Sequence, residues 1–236
     1  MRTNEKWAVL GPNGAGKTTF LQLLSGYIFP ASGTAEVLGE QFGISDITEI
    51  RSRIGLATAN MLNRIGFDES VHDAVISAVH GVTGIGLERY ADLDEERASE
   101  LLEEWLLTPL AKKRIANISD GERKRLLIAR ALMPNPELLL LDEPTAALDL
   151  GSREALLNKL QSLCRKADAP AIVMVTHHVE EIPAGITHIL LLRAGKAIAS
   201  GPVEQVISSV TLSATYGVPV MVHRSGERWF ATARVK

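Results

Sequence analysis

The stretch that most constrains this chain is Ala8-Val9-Leu10-Gly11-Pro12-Asn13-Gly14-Ala15-Gly16-Lys17-Thr18-Thr19. The apolar run Trp7 to Leu10 predicts a buried strand, and Phe20, Leu21, Leu23 and Leu24 beyond the turn predict a helix. Gly11 through Thr18 carry the phosphate-loop spacing, a glycine, four residues and then Gly-Lys-Ser/Thr. A polyphosphate is large and anionic, so backbone N–H groups must approach it closely. Glycine allows that approach with no Cβ in the way. The helix that follows offers unpaired N–H groups and a partial positive charge to the same anion. In this spacing Lys17 reaches the β- and γ-phosphates, and the Thr18 hydroxyl lies on Mg2+. A glycine-rich turn can match such a pattern by chance, but here strand, turn, helix and every defining residue occur together. A nucleoside triphosphate site is the expectation.

The partners of such a site lie far along the chain. Leu138-Leu139-Leu140-Leu141 is a continuous apolar run, as expected of a parallel strand covered on both faces. Asp142 ends it, where a carboxylate can hold Mg2+ beside Thr18. Glu143 comes next and can orient or deprotonate an attacking water, the usual need in phosphoryl transfer to water. Alone, Asp-Glu after a strand would read as charge at the start of the next helix. Beside a phosphate loop, and followed by Pro144-Thr145, the catalytic reading is favoured. Ala171 to Thr176 predicts another buried strand, leading directly into His177. His178 reads as a surface or structural histidine.

Between these signals the chain alternates strand and helix patterns. Tyr27 to Gly39 reads as turn, strand, turn, Ser45 to Arg53 as a short helix, and Ile54 to Ala57 as a strand. From Met61 to about Asn117 the pattern is helical. Ser70-x-x-Asp73 opens one helix, Gly81 to Gly86 is a glycine-rich loop, and Asp94 to Leu107 is amphipathic. In that last helix Ala98, Leu101, Leu102, Trp105 and Leu106 share one face, and Pro109 stops it. Ser119-Asp120-Gly121-Glu122 is a capping box, and the arginines after it read as a solvated face. Ile189 to Ala199 predicts a hairpin turning at Gly195. The tail predicts helices over Val203 to Ser208 and up to Gly217, then strands Val218 to Val222 and Arg228 to Val235.

Composition excludes several classes. The net charge of −3, with no basic run longer than Lys112-Lys113-Arg114, gives no footprint for nucleic acid. No apolar run approaches the ~18 residues that cross a bilayer. The single cysteine, Cys164, excludes an internal disulfide and reads as a buried helix residue.

These motifs, in this order, resemble the ATP-binding-cassette (ABC) ATPases over nearly the whole chain. The matching residues are Gly11 to Thr18, the signature Ile118-Ser119-Asp120-Gly121-Glu122, Leu138 to Glu143, Ala146-Ala147-Leu148-Asp149 and Val175-Thr176-His177. The resemblance implies an α/β fold: a P-loop NTPase core with a mostly parallel sheet, an inserted helical subdomain and a small partial β-subdomain. A single ABC domain would span 1–236, with its core in 1–60 and 135–200, the helical subdomain in 61–134 and a tail in 201–236. It also implies a head-to-tail homodimer holding two ATPs, in which Ser119 and Gly121 of one chain close on the γ-phosphate bound by the other. Asp149 would communicate across that dimer, and His177 would contact the γ-phosphate and the water, linked to Glu143.

Three departures from the family pattern stand out. Asp120 replaces the first glycine of the signature. A glutamine is expected after Ile54 to Ala57, where this chain has Thr58-Ala59-Asn60. The family begins with further strands carrying an aromatic that stacks on adenine. Only ten residues precede Gly11 here, so the chain reads as shortened and Trp7 as a packed strand residue. The run Leu212-Ser213-x-x-Tyr216-Gly217-Val218-Pro219-Val220 looks like the tails of ATPase subunits of iron-complex and cobalamin importers. The expectation is an ATPase subunit at the cytoplasmic face of the cell membrane. It would energise a separate permease and, for an importer, serve a solute-binding protein. The alternatives are a soluble ABC ATPase of translation or DNA repair, or a shortened cassette that binds nucleotide weakly.

Overall fold

The computed structural model describes residues 1–2, 5–80 and 90–234, residue 80 by its backbone alone. The chain opens with strand β1 (Lys6–Leu10), helix α1 (Lys17–Leu24), strands β2 (Glu36–Val37) and β3 (Glu40–Gln41), α2 (Ile47–Ser52) and β4 (Ile54–Ala57). Helices α3 (Asn60–Ile65), α4 (Val71–Ile76), α5 (Asp92–Glu104) and α6 (Asp120–Leu132) come next. Strand β5 (Leu138–Asp142), α7 (Leu150–Arg165), β6 (Ala171–Thr176) and the hairpin of β7 (His188–Arg193) and β8 (Lys196–Pro202) complete the core. The tail carries α8 (Val203–Val206), α9 (Ser209–Tyr216) and the hairpin β9 (Val220–Ser225) and β10 (Arg228–Ala233).

The main sheet has the order β4-β5-β6-β1-β7-β8. Its strands are parallel from β4 to β7, and β8 closes the edge antiparallel to β7. Strand residues alternate between faces, and here both faces are apolar. Leu139, Leu141, Ile172, Met174, Ala8 and Leu10 pack into one core with α4, α5, α6 and α7. Leu138, Leu140, Val173, Val175 and Val9 pack into a second core with Leu21 and Ile50. This two-sided burial is why the strands read as unbroken apolar runs. Among the described residues no helix is long and apolar enough to cross a membrane.

Most expected elements are present, and the differences have local causes. Helix α5 ends at Glu104, short of Leu107 and ahead of Pro109. Leu107 N donates to Leu102 O (2.7 Å) and Leu106 N to Glu103 O (3.0 Å), with Leu106 at φ 56°. That is a Schellman ending with leucine in the left-handed position. The turn throws Leu106 into solvent, 56% exposed, and seats Leu107 in the core instead. Arg130 on α6 is also not solvated. It is 6% exposed and donates to Ala74 O and to Ser77 Oγ (2.7 Å), and burial lowers its pKa to about 10. Cys164 is buried in α7 as expected, its thiol pushed up to about 11 by burial. The loop expected over Gly81 to Gly86 lies outside the described residues.

Candidate functional site

Ligands of open parallel sheets bind outside the carboxyl ends of the strands. Here β1 leads into Gly11, β4 into Thr58 and β6 into His177, and β5 ends at Asp142 with Glu143 next. Strand order makes β4, β5, β6 and β1 neighbours, so residues far apart in sequence share one edge.

Glycine is required in the loop after β1. A Cβ on Gly11 would stand 2.2 Å from Leu192 O, and Gly16 caps α1 at φ 99°, a left-handed conformation. Pro12 O accepts from Ala15 N (3.1 Å), and Gly195 N donates to Ala15 O (3.0 Å), which pins the loop to the β7–β8 turn. Asn13 and Gly14 form the exposed crest. The first helical bond runs from Phe20 N to Gly16 O (2.9 Å), so the amides of Lys17, Thr18 and Thr19 have no acceptor within the helix. Lys17 Nζ donates to Gly11 O (2.8 Å) and Pro12 O (3.1 Å), leaving one of its three hydrogens for a ligand. Burial lowers the Lys17 pKa, opposed by Glu143 and Asp142.

Glu143 sits at φ 44°, and its N–H donates to Val175 O (3.0 Å), extending the pairing of β5 with β6 by one residue. That bend brings Glu143 Oε1 to 3.2 Å from His177 Nδ1. Asp142 is half-buried, and its pKa is raised by burial and by Glu143, against Lys124 and Lys17. A cavity of about 250 Å³ is walled by Thr18, Gln22, Thr58, Asn60 and Asp142. Thr18 and Asp142 thus offer one hydroxyl and one carboxylate to a single space. Mg2+ characteristically takes one or two protein oxygens and completes its shell with phosphate and water. The donor set fits that ion.

Ser119, Gly121 and Asp149 gather elsewhere. Ser119 caps α6 reciprocally, with Glu122 N to Ser119 Oγ at 3.3 Å and Ser119 N to Glu122 Oε2 at 2.7 Å. Asp149 caps α7 through Ser152 N (3.0 Å) and Ser152 Oγ (2.8 Å), which lowers its pKa. Gly121 abuts Ser152, to whose Cβ a Cβ on Gly121 would stand at 3.3 Å. These residues form a second, exposed patch. The family model for the ABC transporter matches residues 1–146, more than half of the sequence.

The chain belongs to the ABC transporter family.

An uncharacterized ABC transporter ATP-binding protein, YlmA of Bacillus subtilis, is 38% identical over 97% of this chain and 86% of its own length. The hemin import ATP-binding protein HmuV of Streptomyces coelicolor is 34% identical over 94% of this chain and 77% of its own. A solved inward-facing structure, provisionally described as a metal-chelate type ABC transporter, superposes with a TM-score of 0.79 at 29% identity. It covers all of this chain (100%) and 88% of the other. The dimeric bacterial cassette MJ0796 superposes at 0.73 with 25% identity, covering 86% of this chain and 87% of the cassette.

Against the ABC pattern, the departures acquire positions. Asp120 Oδ1 accepts from Arg123 Nη1 of its own helix (3.0 Å) and is 71% exposed. Ala59 precedes α3, and Asn60, its first residue, lines the cavity with Thr18 and Asp142. Trp7 is a half-buried strand residue whose ring stacks on His188 at 4.8 Å. His178 is half exposed and lies against the His177 ring at 4.0 Å. One functional contact escaped the sequence reading. Lys124 Nζ donates to Glu143 O (3.0 Å), and burial lowers its pKa. Its spacing of three, four and seven from Leu127, Ile128 and Ala131 is the signal that put it on the inner face of α6.

Proposed function

We propose that this ABC protein hydrolyses ATP between two copies of itself and passes the resulting motion to a separate permease. The observation that carries this reading is the meeting of Lys17, Asp142, Glu143 and His177 at one sheet edge, with Glu143 and His177 3.2 Å apart. Gly11, Pro12, Asn13, Gly14, Ala15, Gly16, Lys17, Thr18 and Thr19 would cradle the triphosphate with backbone N–H groups and the Lys17 ammonium. Thr18 and Asp142 would hold Mg2+, whose chemistry is to neutralise charge between the β- and γ-phosphates. Glu143 accepts a proton from the attacking water as the bond to the leaving ADP oxygen breaks. His177 contacts the γ-phosphate and holds the Glu143 carboxylate in line.

Ser119 and Gly121 complete the site of the second copy, where the free amides at the start of α6 face an anion. Asp149, beside Gly121, links the two halves. Residues 61–134 act as a helical subdomain on a core of 1–60 and 135–200, and 201–236 form the tail. A groove of about 470 Å³, floored by Ile54, Met61 and Pro134 and rimmed by Arg51 and Arg64, is the surface offered to the permease. That partner keeps the chain at the cytoplasmic face of the membrane. The relationship to a hemin import subunit and the tail sequence favour an iron complex or similar cofactor as solute, delivered by a solute-binding protein.

The direct test is ATP turnover of Glu143→Gln. Turnover should fall at least a hundredfold while ATP still binds, on the order expected for loss of a general base. Wild-type turnover in this variant removes Glu143 from the mechanism.

A further inference from the structure

The segment carrying His177 is held by the tail. Within the segment, Thr176 Oγ1 bonds the Glu181 carboxylate and accepts from His178 N (3.2 Å), closing a tight turn. From outside, the Tyr216 hydroxyl, on the last residue of α9, donates to His177 O (2.9 Å). Arg228 of β10 bonds Glu180 O and the Glu154 carboxylate. Helix α9 is itself anchored to the core, because Arg193 Nη1 at the end of β7 donates to Ala214 O (2.5 Å). Gly217 follows at φ 75°, and a Cβ there would stand 2.9 Å from Arg193 Nη2. Burial pushes the Tyr216 phenol up to about 12, with Glu180 adding to the rise, so its hydroxyl stays a donor at neutral pH.

We infer that Tyr216 is a positioning residue for hydrolysis: its hydroxyl fixes the His177 main chain so that the imidazole meets the Glu143 carboxylate. The inference rests on the reading of His177 and Glu143 as the hydrolytic pair. Tyr216 bonds the main chain of His177. It acts through His177, and the tail becomes part of the site's architecture.

A double-mutant cycle on the full chain separates this role from a general structural one. Tyr216→Phe keeps the ring and removes only the donor. Its kcat should fall about threefold to tenfold with KM for ATP unchanged, the factor one neutral hydrogen bond gives. Added to His177→Ala, the same change should cost nothing further. The imidazole Cε1–H NMR signal of His177, assigned by its absence in His177→Ala, should move in Tyr216→Phe. Wild-type kcat in Tyr216→Phe, a loss that multiplies with that of His177→Ala, or an unmoved His177 signal each overturns the inference. Wild-type kcat in His177→Ala instead overturns the reading of His177 itself, and the inference falls with it. Loss of the folded state in Tyr216→Phe would make the bond structural and also counts against positioning.

Discussion

Asp142 is held in a place that works against its own folding. Burial and the neighbouring Glu143 raise its pKa, and the two lysines that oppose the rise do not cancel it. A carboxyl that titrates higher in the folded chain than in the unfolded one carries a folding cost when charged. The cost is absent below the unfolded value, grows as pH rises through the folded one and is constant above it. Asp142→Asn should therefore raise the nucleotide-free Tm at pH 8. The gain should shrink steadily as the pH is lowered toward the carboxyl's own titration, and the same variant should lose ATP turnover. Differential scanning calorimetry against pH checks it, and a gain that grows on acidification would reverse the sign of the argument. Lys17 lies under the same tension, buried and tied to two neutral carbonyls with the carboxylates nearby.

Among the elements, the C-terminus of α5 is strained for a plain reason. Leu106 occupies the left-handed position of a Schellman ending, which costs a residue with a Cβ roughly 1–2 kcal/mol, and it stays 56% exposed there. Leu106→Gly should raise stability by up to about 1 kcal/mol in urea unfolding with turnover unchanged; a loss would mean the exposed leucine is covered in the assembled protein. The same ending marks where sequence reading fails. The phosphate loop, the four-leucine strand and the Ser119 capping box were legible because each is a local pattern whose physics closes within a few residues. The Leu106–Leu107 exchange was not, since 3.6 periodicity continued past the point where the backbone turned. Arg130, Lys124 and Tyr216 escaped for another reason. Each makes its bond to a main-chain oxygen of a distant element, 56, 19 and 39 residues away, and such an acceptor leaves no mark in the identity of the residue that supplies it. The gathering of Asp142, Glu143 and His177 at one edge was expected from motif order, but the device that achieves it, Glu143 N bonding Val175 O, belongs to strand register alone.

At the scale of the whole molecule, the proposed head-to-tail pair treats each chain as two half-sites. The edge carrying Lys17, Asp142 and Glu143 and the exposed patch of Ser119, Gly121 and Asp149 are built on different elements, and neither helix cap, Ser119 or Asp149, lines the cavity beside Thr18 and Asp142. A head-to-tail pair brings each half against the complement of the other, as a closed two-fold assembly requires. Complementation distinguishes this arrangement from two separate sites. Lys17→Ala destroys the loop of its own chain, whereas Ser119→Arg destroys the patch it offers to the other, and each variant alone should be inactive. In an equal mixture, half the pairs are mixed, and each mixed pair retains one intact site, formed by the Ser119→Arg chain's loop and the Lys17→Ala chain's patch. With independent sites, turnover should recover to about a quarter of wild type. Recovery must depend on protein concentration, because it requires exchange between pairs, and it must vanish when both changes are in one chain. A mixture no more active than its parents would mean that each chain completes its own site, and the patch around Ser119 would need another role.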